Sequence, residues 1–204
     1  MAVRRRSRPA GSFVWVLGSR SCPSSFVPVV RRCVLGFARS GLGVGAGGAA
    51  GPDSWALAAL VSALSSLPAA VAARVRGSSA VSLAWASVSG APLAARPSLS
   101  AALAAGVPFW WGSVSGAVPR SVAAAALLGR SRRLARCGRL VGVVCFCGSS
   151  LGAGSFFSLS LACRRVPVFV FCSPGCVLPS LPGGGSWVPA SLFGCSCWRW
   201  VRRR

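Results

Sequence analysis

The sequence predicts no unique globular fold: a largely irregular chain with short α-helices at about 54–73 and 121–140, with a small α-helical membrane protein as the alternative. Three observations lead there. The alphabet is short, for apart from Met1 and Asp53 every residue is Ala, Arg, Cys, Gly, Leu, Phe, Pro, Ser, Trp or Val. The charge is one-sided, with 23 basic residues, all Arg, against a single acid and a net charge of +22. Local signals conflict, because apolar stretches repeatedly run into Pro, Gly or Arg. Folding normally draws on Asn, Thr and acids for caps and turns, and on counter-ions to let like charges come together.

The ten common residue types are those whose codons avoid adenine in the first two positions. All stop codons contain adenine, so an adenine-poor strand stays open without selection. This predicts no assignable function and a chain that is the product of a spurious or unselected reading frame in GC-rich DNA. Simple disorder is excluded, since that class joins high charge to low hydrophobicity, whereas apolar residues make up 53% of this chain and the mean hydropathy is +0.64. Such a chain must fold, enter a membrane or aggregate.

No domains are definable. Residues 1–53 read as basic and Gly-rich, opening with Arg4, Arg5, Arg6 and Arg8 and a short apolar run, Phe13–Leu17. This is similar in pattern to a signal or transit peptide, although the whole chain shares the bias. Residues 41–53 form a Gly/Ala tract ending Gly51-Pro52-Asp53, a turn or linker. The stretch 54–73 is uncharged and Ala/Leu-rich, a helix by propensity and about long enough to cross a bilayer, though Pro68 and its serines weaken it. Residues 74–120 read as irregular. Within them Trp85–Ala91 echoes Trp111–Ala117, too few copies for a solenoid. The segment 121–140 is the basic helix, with Gly129 costing about 1 kcal/mol inside it. Residues 140–163 are uncharged and of spanning length. From 164 to 204 the chain reads as irregular and rich in Cys, Pro and Trp; Val168–Cys172 has strand propensity and is an aggregation hazard.

Candidate chemistry is sparse. Eight of the ten Cys lie between Cys137 and Cys197. Cys145/Cys147 and Cys195/Cys197 are too close for zinc pairs, Cys172/Cys176 alone has suitable spacing, and there is no His. An even count leaves a disulfide framework open. Gly43–Gly48 matches G-x-G-x-x-G, but Pro52 cuts the following helix short and no acid stands about 20 residues on. Gly148-Ser149-Ser150-Leu151-Gly152 matches a nucleophile elbow without a base to take the serine proton. A thiol at Cys137 beside Arg136 and Arg139 would lack a proton shuttle. The expectation is therefore no enzyme, no catalytic residue, no cofactor and no metal. The weak alternative is nucleic-acid binding by Arg130, Arg132, Arg133, Arg136 and Arg139, of which Arg132, Arg136 and Arg139 would share a helix face. The Trp198-Arg199-Trp200 terminus with Arg202–Arg204 is a second basic-aromatic tract. No specific partner is predicted, only salt-sensitive adhesion to polyanions, RNA or anionic lipid, and membrane association.

Overall fold

The structure, a computed structural model, describes residues 10–115 and 118–203. It overturns the expectation of an irregular chain. The described residues form an eight-stranded sheet in the order β4-β3-β2-β1-β5-β6-β8-β7, covered by helices on both faces. In chain order these are β1 (Phe13–Gly18), α1 (Val27–Arg39), β2 (Gly43–Ala46), α2 (Pro52–Ser66), α3 (Ala69–Ser78), β3 (Ala80–Ser82), α4 (Arg96–Ala104), β4 (Phe109–Trp110), α5 (Arg120–Arg136), β5 (Leu140–Cys147), α6 (Ala153–Ala162), β6 (Val168–Cys172), β7 (Gly185–Leu192) and β8 (Cys195–Arg202). The first six strands pair in parallel, and the β7–β8 hairpin closes one side antiparallel to β6.

The apolar runs explain the sheet. A parallel strand is buried on both faces and therefore reads as a continuous apolar stretch. Phe13–Leu17, similar to a targeting peptide in sequence, is the central strand. Alternate residues Val14 and Val16 face one core with Val44, Val144 and Phe146, while Phe13, Trp15 and Leu17 face the other with Val143 and Val170. Helices α1 to α4 supply the first core and α5 and α6 the second. Large side chains such as Trp15, Phe13 and Phe146 are sealed from solvent, each contributing about 1.5–3 kcal/mol of burial. Arg4, Arg5, Arg6 and Arg8 lie outside the described residues.

The membrane alternative and membrane association fail on the same ground. Residues 140–163 are a strand, a turn and a helix rather than one span, and no described helix is long and apolar enough to cross a membrane. The 54–73 helix is two helices. Leu67 precedes Pro68, and the proline ring forces it out of the helical region to ψ 153°, so α2 ends and α3 begins. The 121–140 helix stops at Arg136, because Cys137 is extended. Val168–Cys172 is no exposed hazard, lying in the sheet between β5 and β8 with Pro167 just before its first residue.

The missing cap residues are not missed. None of the six helices carries a side-chain cap at its N-terminus. Proline sits in the first turn of α1, α2 and α4, and is the N-cap of α3 and α5. A proline at the first helical position removes an N–H that would need a partner and presets φ. Pro and Gly thus stand in for Asp and Thr, and the short alphabet still specifies where helices start.

Candidate functional site

Strand order reverses at β1. Strands β2, β3 and β4 extend to one side of it, and β5 and β6 lie on the other. Parallel crossovers keep one hand, so the helices change faces when the order reverses, and the loops after β1 and β5 diverge. Such a switch point leaves a crevice at the carboxyl ends of the strands, where open α/β sheets bind ligands.

Three loops meet there, after β1, β2 and β5. Gly18 ends β1 opposite Phe146. A Cβ on Gly18 would lie 2.3 Å from the Phe146 carbonyl oxygen and 2.4 Å from Pro52 Cγ, so only glycine lets α2 begin hard against the strand end. Gly51, at φ 86°, is the N-cap of α2, and a Cβ there would lie 3.5 Å from the Ser19 carbonyl oxygen and 3.8 Å from Arg20 Cα. Gly152, the N-cap of α6, would place a Cβ 3.7 Å from Ser19 Oγ. The Ser19–Ser21 segment therefore passes against the N-termini of both helices. Ser19 Oγ and Ser21 Oγ are 2.7 Å apart, and Arg20 and Ser21 are exposed. Neither helix has a side chain on its first-turn N–H groups. The α2 start is buried and carries Asp53 in its first turn, whereas Ala153 and Gly154 at the α6 start are exposed, as is Arg20, so the open helix N–H groups on this side are those of α6.

The loop between β2 and α2 is held from below. Asp53, 3% exposed, turns its carboxylate back to accept the N–H groups of Gly47 and Ala49, both at 3.1 Å. Arg130 reaches over from α5 and donates from Nη1 to the Gly47 carbonyl at 2.7 Å. A Cβ on Gly47 would fall 2.6 Å from the Arg130 guanidinium carbon, so the glycine makes room for it. Burial pushes the Asp53 carboxyl up, against the pull of the Arg130 charge and the two N–H groups, and burial pushes the Arg130 guanidinium down. Arg130 Nε is buried without a partner.

The five arginines of the sequence analysis do not form one patch. Arg130 and Arg133 point inward, and Arg133 donates to Ser82 Oγ at 3.3 Å and to the Leu83 carbonyl. Arg132 is exposed, its guanidinium 5.6 Å from the centroid of the Phe157 ring. Arg136 and Arg139 are exposed towards the amino end of the sheet, where the Arg139 carbonyl accepts the Phe13 N–H at 3.0 Å. Arg139 is past the helix end, so the shared face does not exist. The terminal basic-aromatic tract is strand β8: Trp200 is buried edge-on against Trp187 with centroids 5.2 Å apart, while Trp198 stays 39% exposed, and Arg204 lies outside the described residues.

Sequence reasoning passed over both glycine tracts that build the crevice. The Gly43–Gly48 match begins as strand β2 itself, and Pro52 starts the next helix instead of cutting it short. The elbow-like Gly148–Gly152 tract lies between β5 and α6, with Ser149 and Ser150 exposed. The available signal was Gly-Pro-Asp ahead of an apolar run, with Pro at N1 and an acid in the first turn. The two tryptophan echoes also meet: Trp85 bridges Val114 in parallel, extending the β3–β4 pairing, and Gly116 and Ala117 lie outside the described residues.

A cleft of about 420 Å³ opens at the opposite, amino end of the sheet, lined by Ser12, Ser40, Gly41, Arg74 and Ser78 among others. Helices α1 and α3 end there. Their C-termini carry the negative ends of the helix dipoles, and Arg74 already lies against Gly41 beside the end of α1. That cleft lacks the uncapped donors of the crevice.

No protein family and no curated protein matches the chain in sequence. Among solved structures it matches the X-ray structure of DNA processing protein A (DprA) from Streptococcus pneumoniae, with a TM-score of 0.55 and 20% identity over 82% of this chain and 52% of that one. The chain is similar in fold to DNA processing protein A. At that identity the likeness to DNA processing protein A is one of fold, and the chain spans about half the length of that protein. The match, with two sealed cores, corrects the expectation of an unselected reading frame. Unselected translation has no reason to reproduce a solved fold over 82% of its length. Base composition explains which letters are used, not their order.

Proposed function

We propose that this chain binds nucleic acid, DNA first among the candidates, through a backbone phosphate seated in the crevice at the carboxyl ends of β1 and β5. The carrying observation is the convergence of two glycine-capped helix starts, those of α2 and α6, on the Ser19-Arg20-Ser21 loop. Backbone N–H groups and hydroxyls supply directional donors for phosphate oxygens, and Arg20 supplies the charge. The fold likeness to DNA processing protein A supports the choice of ligand. The role is binding rather than catalysis. With no His, Lys, Glu or Tyr in the chain, Ser150 in the β5–α6 loop lacks a base, and Asp53, the sole acidic side chain, is occupied by Gly47 and Ala49.

The test separates the crevice from bulk charge. Arg20→Glu and Arg139→Glu change net charge equally, one at the crevice and one at the far end of the sheet. Fluorescence anisotropy with a labelled oligonucleotide should show about tenfold or greater weakening for Arg20→Glu, with a salt slope shallower by about one. Arg139→Glu should lose far less. Equal losses mean that affinity follows total charge and the crevice has no role. Competition by a mononucleotide as efficient as by the oligonucleotide would reassign the crevice to free nucleotides.

A further inference from the structure

Three cysteines lie where β5 and β6 end, on the face covered by α5 and α6. Cys147 and Cys172 are register partners on the two adjacent parallel strands. Beyond Cys172 the chain turns through Ser173-Pro174-Gly175, with Gly175 at φ 78° and the Cys176 N–H bonded to the Ser173 carbonyl at 3.2 Å. Proline second and a positive-φ glycine third are the demands of a tight type II turn. The turn folds Cys176 back towards the strand ends, against the same cluster that holds Cys147 and Cys172. All three pack into one apolar cluster. Among the described residues no three Cys or Asp side chains converge on a metal position.

Their accessibility differs. Cys147 is fully buried, with its thiol directed at the Phe171 carbonyl 3.7 Å away. Cys172 and Cys176 are both partly exposed. Only those two can meet a dissolved reagent.

We propose that Cys172 and Cys176 form a reversible disulfide, a thiol-redox site at the rim of the sheet that takes low-molecular-weight disulfides as its oxidant. The Cys176 thiolate attacks one sulfur of an R–S–S–R molecule; a protein–S–S–R bond forms and R–S⁻ leaves, to be protonated. Cys172 then attacks Cys176 Sγ, the Cys172–Cys176 bond forms, and the second R–S⁻ leaves. Two protein thiols and one disulfide become one protein disulfide and two R–SH, with two electrons passing to the reagent and both thiol protons ending on the released thiols. The turn between them keeps the loop to be closed short, and exposed disulfides of this kind are the readily reduced ones. Because β6 is held on both sides by β5 and β8, the bridge forms without disturbing the core. The site stands independently of the nucleic-acid reading.

The experiment exposes the reduced full-length chain to glutathione disulfide, blocks remaining thiols with N-ethylmaleimide, and maps chymotryptic peptides by mass. Cleavage after Phe171 and Trp187 leaves Cys172 and Cys176 alone together in the peptide 172–187, and cleavage after Phe146 puts Cys147 in another. The expected result is that 172–187 becomes lighter by two hydrogens, loses both blocking sites, and recovers them with dithiothreitol. In Cys172→Ser the second step has no attacking thiol, and Cys176 should hold one glutathione. Full blocking of both cysteines after oxidation overturns the proposal, as does a cross-link between the Cys147 and Cys176 peptides. The wild-type map decides the question even if a variant folds poorly.

Discussion

At the scale of single residues, Asp53 carries more of the structure than its place in a Gly-rich loop suggests. Its carboxylate satisfies two buried N–H groups and stands beside the buried Arg130. Asp53→Ala leaves those donors unpaired and should cost about 2 kcal/mol or more in urea denaturation. The pH dependence follows from the direction of its shift. Burial raises the folded pKa above the unfolded value, so the folded state holds the proton more tightly. That contribution is fully present below the unfolded value of about 3.8 and is lost as pH rises through the folded pKa. Stability should therefore fall with rising pH in the window above about 3.8, and Asp53→Asn should flatten the slope. The chain has one acidic side chain and no His, so apart from the C-terminal carboxyl nothing else titrates there until the α-amino group and the ten thiols do, above about pH 7. A slope between about pH 4 and 7 that survives Asp53→Asn would refute the assignment. None of this was legible in advance: sequence showed one acid in a Gly/Ala tract, and its partners lie on a loop and on α5.

At the scale of elements, two helix glycines show why propensity alone misleads. A Cβ on Gly129 in α5 would meet nothing within 4 Å, so Gly129→Ala should stabilise by about 1 kcal/mol. Gly36 in α1 has the same propensity, but a Cβ there would fall 2.6 Å from the Phe193 ring. Phe193 occupies the hairpin turn between β7 and β8 at φ 51° and stacks edge-on against Phe37 with centroids 5.0 Å apart. Gly36→Ala must push this anchor away and should destabilise by about 1–3 kcal/mol. Opposite shifts in melting temperature are expected, and shifts of the same sign would show that Phe193 does not pack on α1. Helix starts were more legible than helix uses. Pro52 and Pro68 mark real boundaries, but sequence weighed them only as breakers, because the benefit of proline at a helix start depends on which residue opens the helix.

At the scale of the whole molecule, a net charge of +22 on a folded core sets up self-repulsion that sequence took as a bar to folding. The fold spreads its arginines over the surface and brings few of them inside, so the repulsion is long-range and open to screening. Raising salt from about 0.01 M to 0.15 M shortens the Debye length from about 30 to 8 Å, and stability in urea should rise over that range. Stability that falls with salt would instead point to specific ion pairs as the main electrostatic support. By itself the sequence determined the apolar runs, the excess of positive charge and the glycine and proline punctuation. Each of these stands in the structure. What only the tertiary structure decided was the meaning of the runs, because a strand buried on both faces and a membrane-length stretch have the same composition. It also decided the site. The crevice consists of backbone donors from loops separated by some 130 residues of chain, Ser19 to Gly152, and neighbours so distant in sequence are set by sheet order, which no local pattern encodes.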